Sequence, residues 1–272
     1  MALLVALLTP QVGFTRTANL TFMPGARGTL DVYEPAGPHA GAPMVVFFYG
    51  GNWDSGDRAL YRFVGASLAR AGVVTVIPDY RLYPEVRYPE FLKDNALAVR
   101  WAVDHAGAIG ADPHRLFLMG HSAGAYDAAM LTLDRRWLAT VGLDPRRDVR
   151  GTIGLSGPYD FLPLESGTLK AVFGPPDGRP ATQPINHVDG DAPPMLLMAG
   201  DADTTVDPGN SRRLQQKIVA HGGQAELAIF PKASHSATVT ALLPVFSSGL
   251  DVRGRVLDFI RSHGAGVARA AA

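Results

Sequence analysis

The stretch Leu116-Phe117-Leu118-Met119-Gly120-His121-Ser122-Ala123-Gly124 decides how this chain folds. Four apolar residues of strand character run into a Gly-x-Ser-x-Gly turn, and the small residues of 123–133 continue with helical character. With 30 glycines among 272 residues, the bare pattern is expected by chance in roughly one such chain in eight, so its setting carries the weight. A serine that passes the chain from strand to helix within one residue takes a strained backbone and stands at the end of the strand. The positive end of the following helix lies beside it, where developing negative charge is stabilised.

Working outward, short apolar runs alternate with segments of helical period. Runs at 29–33, 44–49, 73–77, 116–119, 152–155, 195–199 and 225–230 predict strands, most of them without alternation, as in strands covered on both faces. Leu60, Val64 and Leu68 predict one helix and Leu92, Ala96, Val99 and Val103 another, with further helices over 123–133, 210–220 and 252–262. Repeated βαβ units of this kind make an α/β fold with a mostly parallel central sheet of about eight strands, flanked by helices. One domain is expected over 29–263, with 1–28 an extension packed on the body and 264–272 a frayed tail. Between 158 and 194, proline and glycine interrupt the rhythm, which predicts a lid-like excursion beside the site.

Composition removes several function classes. Lys plus Arg total 25 and Asp plus Glu total 25, so no net field attracts polyanions and a nucleic-acid partner is not expected. The absence of cysteine excludes disulfides, thiolate zinc sites and a cysteine nucleophile. No apolar run approaches the roughly 18 residues of a membrane span, so a soluble monomer or homodimer is expected. The apolar stretch 2–8 is compatible with the trimmed end of an exported precursor, which leaves both cytoplasm and periplasm open.

A serine hydroxyl attacks efficiently only when an imidazole takes its proton. His235 follows the last predicted strand, where such a base belongs in a Ser, acid, His order; His187, in the long excursion, is kept as a candidate pocket residue. His121 is too close in sequence to turn back on Ser122. The orienting acid is sought after the 195–199 strand, where Asp201, Asp203 and Asp207 stand close together. Asp203 is the first choice, Asp201 reading as a turn cap and Asp207, before Pro208, as a helix N-cap. Tyr49-Gly50-Gly51-Asn52-Trp53 supplies a glycine loop after an earlier strand, so the backbone N–H groups of Gly51, Asn52 and Ala123 are the expected oxyanion donors. Tyr49, Gly50, Trp53, His121 and Tyr126 are expected to surround the substrate.

Taken with Asp79-Tyr80-Arg81-Leu82-Tyr83-Pro84-Glu85, these motifs resemble the α/β-hydrolase superfamily, specifically the carboxylesterases similar to hormone-sensitive lipase and their small bacterial relatives. The resemblance runs in the family's order from about residue 29 to residue 262. It implies that the block from Asp79 to Glu85 braces the active-site loops rather than reacting. Two positions depart from the family pattern: Tyr49 stands where the glycine loop usually begins with His, and Asn52 replaces its third Gly. The family's large N-terminal cap has no counterpart in the 28 residues before the first predicted strand, which implies a more open site. The implied activity is a serine carboxylic-ester hydrolase for short acyl esters, working through an acyl-enzyme with Ser122, His235 and Asp203 and needing no metal or organic cofactor. An amidase or formamidase, or an acetyl-xylan or feruloyl esterase, would use the same triad.

Overall fold

The computed structural model describes residues 8–247 and 249–264. The expected tail from 265 and the beginning of the expected extension, 1–7, lie outside those residues.

Eight strands form one sheet: β1 (Phe14–Thr21), β2 (Thr29–Pro35), β3 (Ala42–Phe48), β4 (Val74–Pro78), β5 (Ala111–His121), β6 (Gly151–Leu155), β7 (Met195–Gly200) and β8 (Ala225–Phe230), in the spatial order β1-β2-β4-β3-β5-β6-β7-β8. β1 and β2 pair antiparallel, as do β2 and β4, and every pairing beyond them is parallel. All residues of β4, β6 and β7 are buried whatever their parity, the mark of strands covered on both faces.

The covering helices are α1 (Arg62–Ala69), α2 (Glu90–His105), α3 (Ala123–Leu133), α4 (Gly167–Phe173), α5 (Gly209–Ala220) and α6 (Val252–Gly264), with shorter turns between them. α3 is buried along its whole length, which explains its small residues: with no solvent face it can lie close against the strands. α6 includes Gly264, so the helix extends one residue into the segment expected to fray.

The sequence reading missed β1. Its pairing with β2 slips between Thr17 and Leu20, and Asn19 sits there at φ 61°, so a bulge breaks the alternation that would have marked a strand. The expected extension therefore contributes the edge strand of the sheet.

A cluster of charges ties this edge to the middle of the molecule. The Asp31 carboxylate on β2 accepts from Arg16 at 2.6 Å, from Arg58 at 2.9 Å and from the Asn19 N–H at 3.1 Å. Burial alone would raise Asp31, but the bonds from Arg58, Arg16 and Asn19 outweigh it and hold the carboxyl below its ordinary range. Arg58 also pairs with Asp79, just past β4. Replacing Arg58 with Met leaves Asp79 without its guanidinium and Asp31 with only one. The expected loss is roughly 3 kcal/mol of unfolding free energy in urea titration; a loss too small to resolve would mean that the cluster is no brace.

Candidate active site

β5 runs straight into Ser122, and α3 starts at the next residue. Ser122 adopts φ 56° and ψ −122°, a conformation that L-residues rarely take and that persists only where the surroundings force it. The flanking glycines provide the room. A Cβ on Gly120 would fall 2.1 Å from the Gly124 carbonyl oxygen, and one on Gly124 would fall 2.1 Å from that of Phe48. The Ser122 N–H donates to the Leu155 carbonyl at 2.9 Å, carrying the β5–β6 ladder one residue past the strand.

The loop after β3 lies against this turn, for a Cβ on Gly50 would approach that of Ser122 to 2.8 Å. Gly51, Asn52 and Trp53 take successive positive φ values of 144°, 56° and 60°. The Gly51 carbonyl closes the turn by accepting from the N–H groups of Asp54 and Ser55 at 3.1 and 2.9 Å. Among the described residues, no hydrogen bond engages the N–H groups of Gly51, Asn52 or Ala123.

Side chains hold this strained loop from beneath. The Trp53 indole N–H donates to Asp127 on α3 at 3.0 Å, and the Asn95 amide on α2 donates to the other Asp127 oxygen at 3.0 Å. The Tyr83 N–H donates to the Trp53 carbonyl at 2.8 Å, so the block from Asp79 to Glu85 does touch the loop. The Tyr49 hydroxyl accepts from Arg27 at 2.9 Å, and its ring stacks on Tyr80 with centroids 4.5 Å apart. Burial pushes the Tyr49 phenol far above its ordinary range.

The third segment follows β8. His235 Nδ1 lies 2.8 Å from Asp203 Oδ2, and the other Asp203 oxygen accepts from the Thr205 and Val206 N–H groups at 2.9 Å each. A carboxylate only accepts, so Nδ1 carries the hydrogen and Nε2 is the basic nitrogen. The competing acids are occupied otherwise. Asp201 accepts from the Lys232 N–H at 2.5 Å, and Asp207 accepts from the Gly209 N–H at 2.9 Å, at the start of α5. His187 binds the Ala181 carbonyl at 2.8 Å and lies 3.7 Å from Asp134.

Ser122 and His235 open on one cavity of about 1040 Å³. Gly50, Gly51, Asn52, Trp53, His121 and Ala123 also line it. Tyr49 and Tyr126, expected on its wall, do not: both are fully buried behind it, Tyr126 with its hydroxyl on the Thr182 carbonyl at 2.7 Å. Each instead braces a loop from inside, Tyr49 the glycine loop through Arg27 and Tyr80, and Tyr126 the excursion through Thr182. The segment 158–194 supplies Phe161, Leu162, Leu164 and Leu169 as an apolar wall, and Asp160, Asp207 and Arg213 form a polar rim. Within the segment the Phe161 N–H donates to Gln183 at 2.8 Å. Phe173, edge-on to Trp53 at 4.8 Å, and Thr182, under the Tyr126 hydroxyl, fasten the excursion to the body as a wall. These wall residues were missed in the sequence, where only the short apolar piece at 169–173 hinted at them.

Comparison with known proteins fits this geometry. The profile of the BD-FAE family matches residues 30–218, most of the chain. The chain belongs to the BD-FAE family. Among curated relatives, it is 26% identical over 230 residues to isoprenylcysteine alpha-carbonyl methylesterase of Arabidopsis thaliana, covering 77% of this chain and 54% of that protein. It is 27% identical over 200 residues to esterase LipC of Mycobacterium tuberculosis (strain ATCC 25618 / H37Rv), covering 67% and 50%. The chain thus spans about half the length of these relatives. Among solved structures, a truncated carbohydrate esterase from gut microbiota superposes with a TM-score of 0.83 at 20% identity, over 94% of this chain and 99% of that one. The fold of this BD-FAE member is that of the α/β-hydrolases, as the motifs implied. Among the described residues, no helix is long and apolar enough to cross a membrane.

Asp127 gives the site a measurable signature. Burial raises its pKa to about 8 against the bonds from Trp53 and Asn95, so at neutral pH the carboxyl is mostly protonated. A folded-state value above the unfolded 3.8 stabilises the fold below that pH, and the contribution is lost as pH rises toward 8. Asp127→Asn removes the titration while retaining an acceptor for Trp53. The melting temperature of the variant minus that of wild type should therefore rise from about pH 4 to about pH 8. A difference that stays flat across that range would mean that Asp127 is ionised throughout.

Proposed function

We propose that this chain is a serine carboxylic-ester hydrolase. The observation that carries the reading is the 2.8 Å bond between His235 and Asp203, which leaves Nε2 as the basic nitrogen of a side chain that lines the same cavity as Ser122. In this reading His235 takes the proton as the Ser122 oxygen attacks the ester carbonyl, and Asp203 holds the imidazolium that forms. The N–H groups of Gly51, Asn52 and Ala123 receive the oxyanion, and the amino end of α3 adds its positive potential. The imidazolium then protonates the leaving alcohol. Water, activated by the same imidazole, releases the acid and restores Ser122.

The apolar wall of Phe161, Leu162, Leu164 and Leu169 beside Trp53 receives the acyl group, which this reading takes to be short. The polar rim of Asp160, Asp207 and Arg213 favours a polar alcohol, which makes a carbohydrate ester the second reading.

The test is hydrolysis of p-nitrophenyl esters from acetate to palmitate, with an anilide alongside. Turnover should peak at the short chains, and Ser122→Ala should lose about 10⁴-fold in kcat. Asp203→Asn should fold normally and lose about as much. Undiminished turnover by Ser122→Ala would overturn the assignment, and faster cleavage of the anilide than of every ester would make the enzyme an amidase.

A further inference from the structure

Three segments meet at the proposed centre: the glycine loop after β3, the elbow after β5 and the His235 loop after β8. One side chain touches all three. His121, inside the elbow, has Nε2 at 3.2 Å from the His235 carbonyl oxygen and Nδ1 at 3.1 Å from the Tyr61 hydroxyl. The Tyr61 oxygen in turn accepts the Gly50 N–H at 3.3 Å.

The direction of each bond follows from the groups. A carbonyl only accepts, so Nε2 of His121 carries the hydrogen. Burial first, and then repulsion from the cationic form of His235, hold the pKa of the His121 ring down to about 3. The bond to the His235 carbonyl and the charge of Asp203 act the other way and are outweighed. The ring is therefore neutral, its Nδ1 is bare, and Tyr61 must donate to it. The result is one directed chain, from the Gly50 N–H through the Tyr61 hydroxyl and the His121 imidazole to the His235 carbonyl.

That carbonyl has a second tether. Thr238 Oγ1 donates to it at 3.1 Å and lies 3.0 Å from Ser156 Oγ, so Ser156, at φ 50° just past β6, donates to Thr238. Asp203 fixes the ring of His235, and these two donors fix its main chain. There is no slack at the other end, since a Cβ on Gly50 would lie 3.2 Å from His121 Nδ1.

We propose that His121 is a positioning residue, whose two ring nitrogens set the proposed base and the proposed oxyanion loop at a common distance from Ser122. The inference rests on the esterase reading. Protonation of His235 during turnover would be opposed by a cation in the adjacent ring, whose centroid is 4.8 Å away, and a neutral His121 avoids that cost.

The experiment compares wild type with Tyr61→Phe, His121→Gln, the double variant and His121→Leu. The substrate is p-nitrophenyl acetate, and rates are referred to active sites titrated with a fluorophosphonate. Tyr61→Phe and His121→Gln both break the link to the glycine loop, while glutamine keeps an N–H for the His235 carbonyl. Each should lower kcat roughly 10-fold with KM little changed, and the double variant should be no worse than the poorer single. His121→Leu, which loses both bonds, should lose roughly 100-fold. Wild-type kcat per active site in His121→Leu, or additive losses in the double variant, would overturn the proposal. Imidazole nitrogen NMR of the wild type supplies a readout that needs no turnover. His121 should remain the neutral Nε2–H tautomer from about pH 5 to about pH 9, and titration within that range or a hydrogen on Nδ1 would overturn the inference. Failure of the wild type to cleave any ester, with His121 still neutral, would count against the esterase reading and leave the positioning role to the NMR result.

Discussion

The whole arrangement depends on a single-residue turn. β5 must end and α3 must begin at Ser122, and the backbone there sits in a conformation that a chain free to relax would leave. It is held by contact. Gly120 meets the Gly124 carbonyl, Gly124 meets the Phe48 carbonyl, and the Ser122 N–H is bound to Leu155 on the neighbouring strand. Because strand, helix and glycine loop touch backbone to backbone, the position of Ser122 also fixes where the loop after β3 can run. The strain is offset by the burial of α3 over its entire length and by a sheet whose central strands are covered on both faces.

Around that turn, buried titratable groups differ in what their hydrogen bonds come from. Asp203 is enclosed, with two backbone N–H groups and the His235 imidazole directed at its oxygens. Asp127 is equally enclosed but has only an indole and an amide as donors, and burial drives it to the neutral side. His121 is driven neutral for the same reason. Asp127 and His121 thus stand near the Asp203–His235 pair as neutral groups of fixed hydrogen-bond direction, while the ion-paired Asp160, Asp207 and Arg213 lie elsewhere on the cavity lining. The Arg58 cluster, with its paired carboxylates, stands away from the cavity at the edge between β2 and the end of β4.

What could be read in the sequence was whatever local backbone rules control. The strands of the parallel region announced themselves as unbroken apolar runs because both faces are covered, and the elbow and glycine loop announced themselves because only glycine fits there. β1 was hidden by a bulge at Asn19, which shifts the parity of its side chains. The choice of Asp203 among three acids rested on chain order, and the hydrogen bond to His235 agrees with it. Tyr61, Asp127, Thr238 and Ser156 carried no signal at all. Each acts on a partner far away in sequence, as Asp127 on Trp53 does across 74 residues, and no periodicity encodes such a meeting.

The segment from 158 to 194 changes how selectivity must work at this site. A lid gains specificity by closing on the right substrate, which requires few contacts in its open state. Here the segment is tied to the body by the Tyr126 hydroxyl on Thr182 and by Phe173 against Trp53, and braced within itself by Gln183 on Phe161. Trp53 belongs at once to this aromatic cluster and to the strained glycine loop, and through Asp127 to the helix behind Ser122. A change at Phe161 in the wall, or at Phe173 buried behind it, is therefore transmitted to the backbone that carries the N–H groups of Gly51 and Asn52. Shape and chemistry are coupled through one indole, so substitutions that widen the pocket are constrained by the need to keep that ring, and with it the loop, in place.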